Sequence, residues 1–124
     1  LEVIYNSMEA ILQKWKPDAV AIEKLFFNSN QKTAIQVAEA RGVILLAAQK
    51  AGVSISEYTP LQVKQAVTGY GQAQKPQVME MTKRLLCLTQ MPKLDDTCDA
   101  LAMAICHGQA AGSTLRRTML SGRM

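Results

Sequence analysis

Leu1, Ile4, Met8, Ile11, Leu12 and Trp15 recur at the spacing of one helix face, while Glu2, Asn6, Glu9 and Lys14 fall on the others. Residues three and four apart stack on one side of an α-helix, so the pattern predicts an amphipathic first helix. Pro17 and Asp18 stop it. The run Ala19-Val20-Ala21-Ile22 then reads as a buried strand with Glu23 near its C-terminal end. Thr33 to Ala48 has almost no breaker except Gly42, which predicts a second helix from about Gln31 to Lys50. That helix is apolar around much of its circumference and calls for cover on more than one side. Val53 to Tyr58 alternates at period two and makes the next strand. A strand–helix–strand order implies a parallel, right-handed crossover.

Thr59-Pro60 opens a short helix, with a hydroxyl cap and a first-turn proline, ending near Gly69-Tyr70-Gly71. Pro76 begins another helix with Val78, Met79, Leu85 and Leu86 as its apolar positions. Pro92 breaks the chain again, and Asp95 or Asp96 caps a last helix through roughly His107. Residues 108–124 are small, polar and basic without periodicity, which predicts a disordered basic tail behind a domain of residues 1–107. The fold class is α/β. Two strands are few for a parallel sheet, which is normally wider and covered on both faces. The strand around Ile22 is too apolar for a natural edge, so a further strand is expected beside it.

Composition adds a little. The 124 residues carry a formal charge of +4, which permits a polyanionic partner such as nucleic acid without requiring one. Cys87, Cys98 and Cys106 are odd in number and lack any CxxC or Cys/His ligand spacing, so they read as small core residues of a reducing, cytoplasmic protein. No segment is apolar for long enough to span a membrane, and no signal-peptide pattern opens the chain. It starts at Leu1 and reads as a fragment.

Three carboxylates stand out by position. Glu23 closes an apolar strand, where open α/β sheets place their ligand sites. Asp96 and Asp99 are three apart at a helix start and so share one side of its first turn. Such oxygen ligands suit Mg²⁺, and clustered carboxylates hold the metals that activate water in phosphodiester hydrolysis. The plainer reading is that the aspartates serve the helix N-terminus and that Glu23 is a solvated strand end.

Longer motifs change that balance. Ala21-Ile22-Glu23-Lys24-Leu25-Phe26 is followed by Gln36-Val37-Ala38-Glu39-Ala40-Arg41-Gly42-Val43. Glu57 to Gln65 reads EYTPLQVKQ, Val67 to Lys75 reads VTGYGQAQK, and Asp96 to His107 reads DTCDALAMAICH. In unbroken order over roughly residues 1–107, these runs resemble the RuvC Holliday junction resolvases. The resemblance implies a ribonuclease H-like fold, a mixed sheet flanked by helices, here lacking its N-terminal strands. It implies a Mg²⁺-dependent endonuclease (Mn²⁺ as an alternative) that resolves four-way DNA junctions symmetrically, in recombination and repair.

Carried over residue by residue, Glu23, Asp96 and Asp99 match three of the family's four metal-binding acids. The fourth is an aspartate on a first strand that this sequence does not contain, so the chain alone is expected to be inactive. That strand is also the missing neighbour of the Ile22 strand. Lys64 and Lys75 match lysines near the scissile DNA, with a solvated helix face as the plainer reading. Phe26 matches an aromatic at the junction centre. Gly69 and Gly71 fit a turn approaching DNA, although helix-ending glycines look the same. His107 aligns with a family histidine and reads more simply as structural. A homodimer is implied by the symmetric substrate, with RuvA and RuvB as further partners. The other reading is a non-catalytic junction-binding homologue without the first aspartate.

Overall fold

The computed structural model describes residues 1–24 and 31–121, with no side-chain account of Gln31 or of residues 113–121. Its elements are α1 (Glu2–Trp15), β1 (Ala19–Glu23), α2 (Gln31–Lys50), β2 (Ser54–Tyr58), α3 (Pro60–Thr68), α4 (Lys75–Leu85) and α5 (Asp95–Ser121). The chain divides into two compact units, Leu1–Glu57 and Tyr58–Met124.

In the first unit α1 packs on α2, and β1 pairs with β2 in a two-stranded sheet. The α1 contact is narrower than the sequence pattern suggests. Ile4, Met8 and Leu12, one turn apart, turn inward, and only Leu12 is fully buried. Ile11 and Trp15 were expected on that face but remain half or more exposed, because they lie on the adjoining stripe. From α2, Ala47 and Ala48 are buried while Ile35, Val37 and Leu46 stay exposed. Four of the five β1 residues are half-buried, and Glu23 is exposed.

The second unit has a more continuous core. Val63 and Val67 from α3 meet Ala102 and Cys106 from α5, with Tyr58, Ala66, Val78, Met103 and Ile105 packed around them. Thr59 forms a complete capping box: its hydroxyl accepts from the Gln62 N–H at 3.1 Å, and the Gln62 side chain accepts from the Thr59 N–H at 2.8 Å. Gly69 ends α3 at φ 80°, a left-handed conformation that glycine adopts without steric cost.

Three sequence expectations need correction here. The last helix does not stop near His107, and residues 108–121 are helical rather than a disordered tail. Gly108 and Gly112 each cost roughly 1 kcal/mol relative to alanine in a helix, but Ala110 and Ala111 favour it and no proline intervenes. Asp95 and Asp96 both lie inside the first turn of α5 instead of capping it, and the Leu94 carbonyl accepts the Cys98 N–H. Cys98 and Cys106 are core residues as expected, but Cys87 is exposed and sits at φ 55° in the turn after α4.

Candidate functional site

Residues of interest fall in both units, and each group is positioned by its own neighbours. In the first unit, Glu23 ends β1 with its side chain exposed. Arg41 from α2 reaches that strand end. Its Nε donates to the Glu23 carbonyl oxygen at 3.2 Å, and its Nη2 lies 3.2 Å from Oε1 of Glu57. Phe26 lies outside the described residues.

In the second unit, Asp95, Asp96 and Asp99 occupy the start of α5 and are all exposed. Negative charge is favourable there because the unpaired N–H groups of a first turn carry partial positive charge. Lys75 opens α4 and hydrogen-bonds the Asp95 carboxylate, while Asp99 Oδ1 stands 3.4 Å from its Nζ. The bond to Asp95 raises the Lys75 pKa above its ordinary value, aided by the charge of Asp99 and opposed by partial desolvation. Lys75 is therefore ion-paired with two of the three acids at the start of α5. The sequence marks Asp95 only as a candidate helix cap. Three acids in five residues at a helix start were visible, but which one meets Lys75 depends on how α4 and α5 pack.

Lys64 is half-buried on α3 and makes no ion pair among the described residues. Its carbonyl accepts from the Thr68 hydroxyl at 2.7 Å, and the Tyr70 N–H donates back to that hydroxyl oxygen at 3.0 Å. These bonds, with Gln65 Nε2 donating to the Gly69 carbonyl at 3.1 Å, fix the turn from α3 toward α4. A Cβ on Gly71 would stand 3.2 Å from Leu61 Cγ, so close packing within the turn already accounts for that glycine. An open hollow of about 450 Å³ runs beside the turn, lined by Thr68, Tyr70, Ala73, Pro76, Met81 and Arg84 among others.

His107 is tied down structurally. Its Nδ1 lies 2.7 Å from the Tyr58 hydroxyl, and the two rings meet edge to face with centroids 5.8 Å apart. Burial pushes the Cys106 thiol up, keeping it a neutral core group. Among the described residues, no group of three or more His, Cys, Asp or Glu side chains is gathered closely enough to hold a metal ion. Nor is any described helix long and apolar enough to cross a membrane.

The family model described as Crossover junction endodeoxyribonuclease RuvC matches residues 1–107. This chain belongs to the RuvC family. The RuvC of Ruminiclostridium cellulolyticum is 57% identical over 110 residues, and that of Halothermothrix orenii is 59% identical over 110 residues. Each match takes in 89% of this chain, and 66% and 67% of the respective relatives, so the chain spans about two thirds of their length. Among solved structures, Thermus thermophilus RuvC superimposes with a TM-score of 0.85 at 37% identity, over 91% of this chain and 68% of that one. The same protein in complex with Holliday junction substrate gives 0.84 at 38% identity, over 89% and 67%. The fold is accordingly the ribonuclease H-like fold of RuvC, with helices flanking a small sheet.

Proposed function

We propose that this sequence is the larger part of a divalent-metal-dependent Holliday junction endonuclease, and that residues 1–107 form the nuclease portion. The observation carrying the reading is that the family match runs through Glu23, Asp96 and Asp99, each with an exposed carboxylate. Carboxylate oxygens are the ligands that Mg²⁺ and Mn²⁺ take, and exposed carboxylates such as that of Asp99 attract cationic groups, as the Lys75 ion pair illustrates. On this reading Glu23, Asp96 and Asp99 hold the metal. When bound, the metal supplies an activated water and stabilises the leaving oxygen of the phosphodiester.

The chain's own lysines do the rest. Lys64 and Lys75 hold DNA phosphate and offset the negative charge that develops on it during cleavage. Lys75 must turn from Asp95 and Asp99 to do so, and exposed ion pairs of this kind are weak enough to exchange. The turn at Gly69 and Gly71 brings backbone toward the DNA, and Phe26 contacts the junction centre. The assembly is a homodimer with one site facing each strand to be cut. It is cytoplasmic and works with RuvA and RuvB.

By the family pattern a fourth carboxylate completes the metal site, and these 124 residues hold three of the four. Alone, they bind metal weakly and do not cut. The test is a chimera in which the corresponding N-terminal strands of the Ruminiclostridium cellulolyticum relative precede Leu1. Incubated with a synthetic four-way junction in Mg²⁺, it nicks two opposed strands symmetrically. Its junction affinity falls steeply with salt, as phosphate contacts require. Junction binding without nicking would favour the non-catalytic homologue, and salt-insensitive binding would remove the lysine roles.

A further inference from the structure

The inference rests on the reading of Lys75 as a phosphate contact and concerns what holds that lysine when no DNA is bound. Lys75 is the first residue of α4, where the Gln74 N–H donates to Gln77 Oε1 at 3.0 Å and Pro76 follows. Its backbone is therefore fixed, while its flexible stem lets the ammonium swing between partners. The ammonium hydrogen-bonds the Asp95 carboxylate, and Asp99 Oδ1 lies 3.4 Å from the same Nζ. Asp95 and Asp99 are four apart on α5 and so share a face, whereas Asp96 makes no ion pair among the described residues.

The two lysines assigned to phosphate are thus unlike. Lys64, half-buried on α3, has no ion-pair partner among the described residues, while Lys75 already meets two carboxylates. To an ammonium, a carboxylate and a phosphodiester are similar partners, since each is an anionic acceptor of charge-assisted hydrogen bonds. Asp95 and a phosphate therefore compete for the same donors. The Lys75 and Asp95 side chains are 48% and 60% exposed, so the pair is weak enough to open and DNA can reach it. Asp95 is also outside the acids assigned to the metal, so that reading gives it no other task.

We propose that Asp95 is a built-in competitor of DNA phosphate: its carboxylate occupies the Lys75 ammonium in the free protein and must be displaced before a junction phosphate binds there. Binding through Lys75 is then an exchange of one anion for another, and removing Asp95 tightens it. A rival physical effect has the same sign, because any negative charge lost near DNA favours binding. The two separate in a double-mutant cycle, since only competition requires Lys75.

The test measures binding of the 124-residue chain to a fluorescently labelled synthetic four-way junction by anisotropy, in EDTA so that no divalent ion contributes. Asp95→Asn is expected to tighten binding about two- to fivefold, the range that exposed ion pairs are worth. The gain is expected to vanish in a Lys75→Gln background and to persist in a Lys64→Gln background. Asp95→Ser suits a helix start equally well and carries the same expectation should Asp95→Asn not fold. An equal gain with and without Lys75, or no gain at all, overturns the competition alone. Lys75→Gln by itself is expected to weaken binding and to lower the slope of log affinity against log salt by about 1. If it changes neither, the phosphate reading of Lys75 falls and this inference with it. Failure to bind the junction even at low salt has the same consequence.

Discussion

The two units carry their candidate groups on different foundations. In Tyr58–Met124, α3 and α5 share a cluster of buried side chains, and α3 is capped at both ends by its own sequence. Among the described residues of Leu1–Glu57, only Leu12, Ala47 and Ala48 are buried, and Val3, Ile11, Trp15, Ile35 and Leu46 remain exposed. Asp96 and Asp99 therefore stand on a helix fixed by a core, whereas Glu23 stands at the end of a strand that pairs with β2 and accepts one hydrogen bond from Arg41. Where apolar burial is thin, a few polar contacts must set local geometry, and single substitutions there change a site more than they change global stability.

The largest stability effect expected is at the second unit's core. Val67→Ala removes two methyl groups from a fully buried position and should cost about 2 kcal/mol or somewhat more, counting the cavity left behind. Ile11→Ala, on the exposed face of α1, should stay within about 0.5 kcal/mol. Urea unfolding of both variants breaks the comparison if Ile11→Ala costs as much as Val67→Ala, since that face would then be covered in solution.

Loss of the cap comes next. Thr59→Ala removes the hydroxyl half of the capping box and should destabilise by about 1 kcal/mol in the same assay. Tyr58→Phe should cost a similar or smaller amount, roughly 0.5–1.5 kcal/mol, because His107 loses a 2.7 Å partner in a half-buried place. No cost would mean that water replaces the hydroxyl.

The smallest effect is electrostatic. The folded-state pKa of Lys75 is raised, so its contribution is fully present below the ordinary lysine pKa and is lost as pH rises through the higher folded value. Asp95→Asn should lower the Lys75 pKa, read from side-chain carbon shifts by NMR. An unchanged titration would show that Asp99 alone sets it.

Much of this was readable from the residues. Thr59-Pro60 and Gly69 bracket α3 because each has one local conformational role. Alternation along residues 53–58 marked β2, and the proline-bounded apolar run marked β1 with Glu23 at its end. What the sequence withheld is contact across distance. Arg41 meets residues 18 positions before it and 16 after it, and nothing local marks that pairing. Lys75 and Asp95 are 20 apart, and only the packing of α4 on α5 selects Asp95 over Asp96. The extent of α5 was missed because glycine lowers helix propensity without forbidding a helix.

The central claim is that the Glu23 carboxylate, with Asp96 and Asp99, serves metal-dependent cleavage of a four-way junction. Comparing junction nicking by the chimera with and without Glu23→Gln tests it most directly, since the change removes one ionisable oxygen and little volume. Nicking should fall at least about 100-fold, as for loss of a group that stabilises transition-state charge, while junction binding is kept. Equal nicking by the two proteins would contradict the assignment.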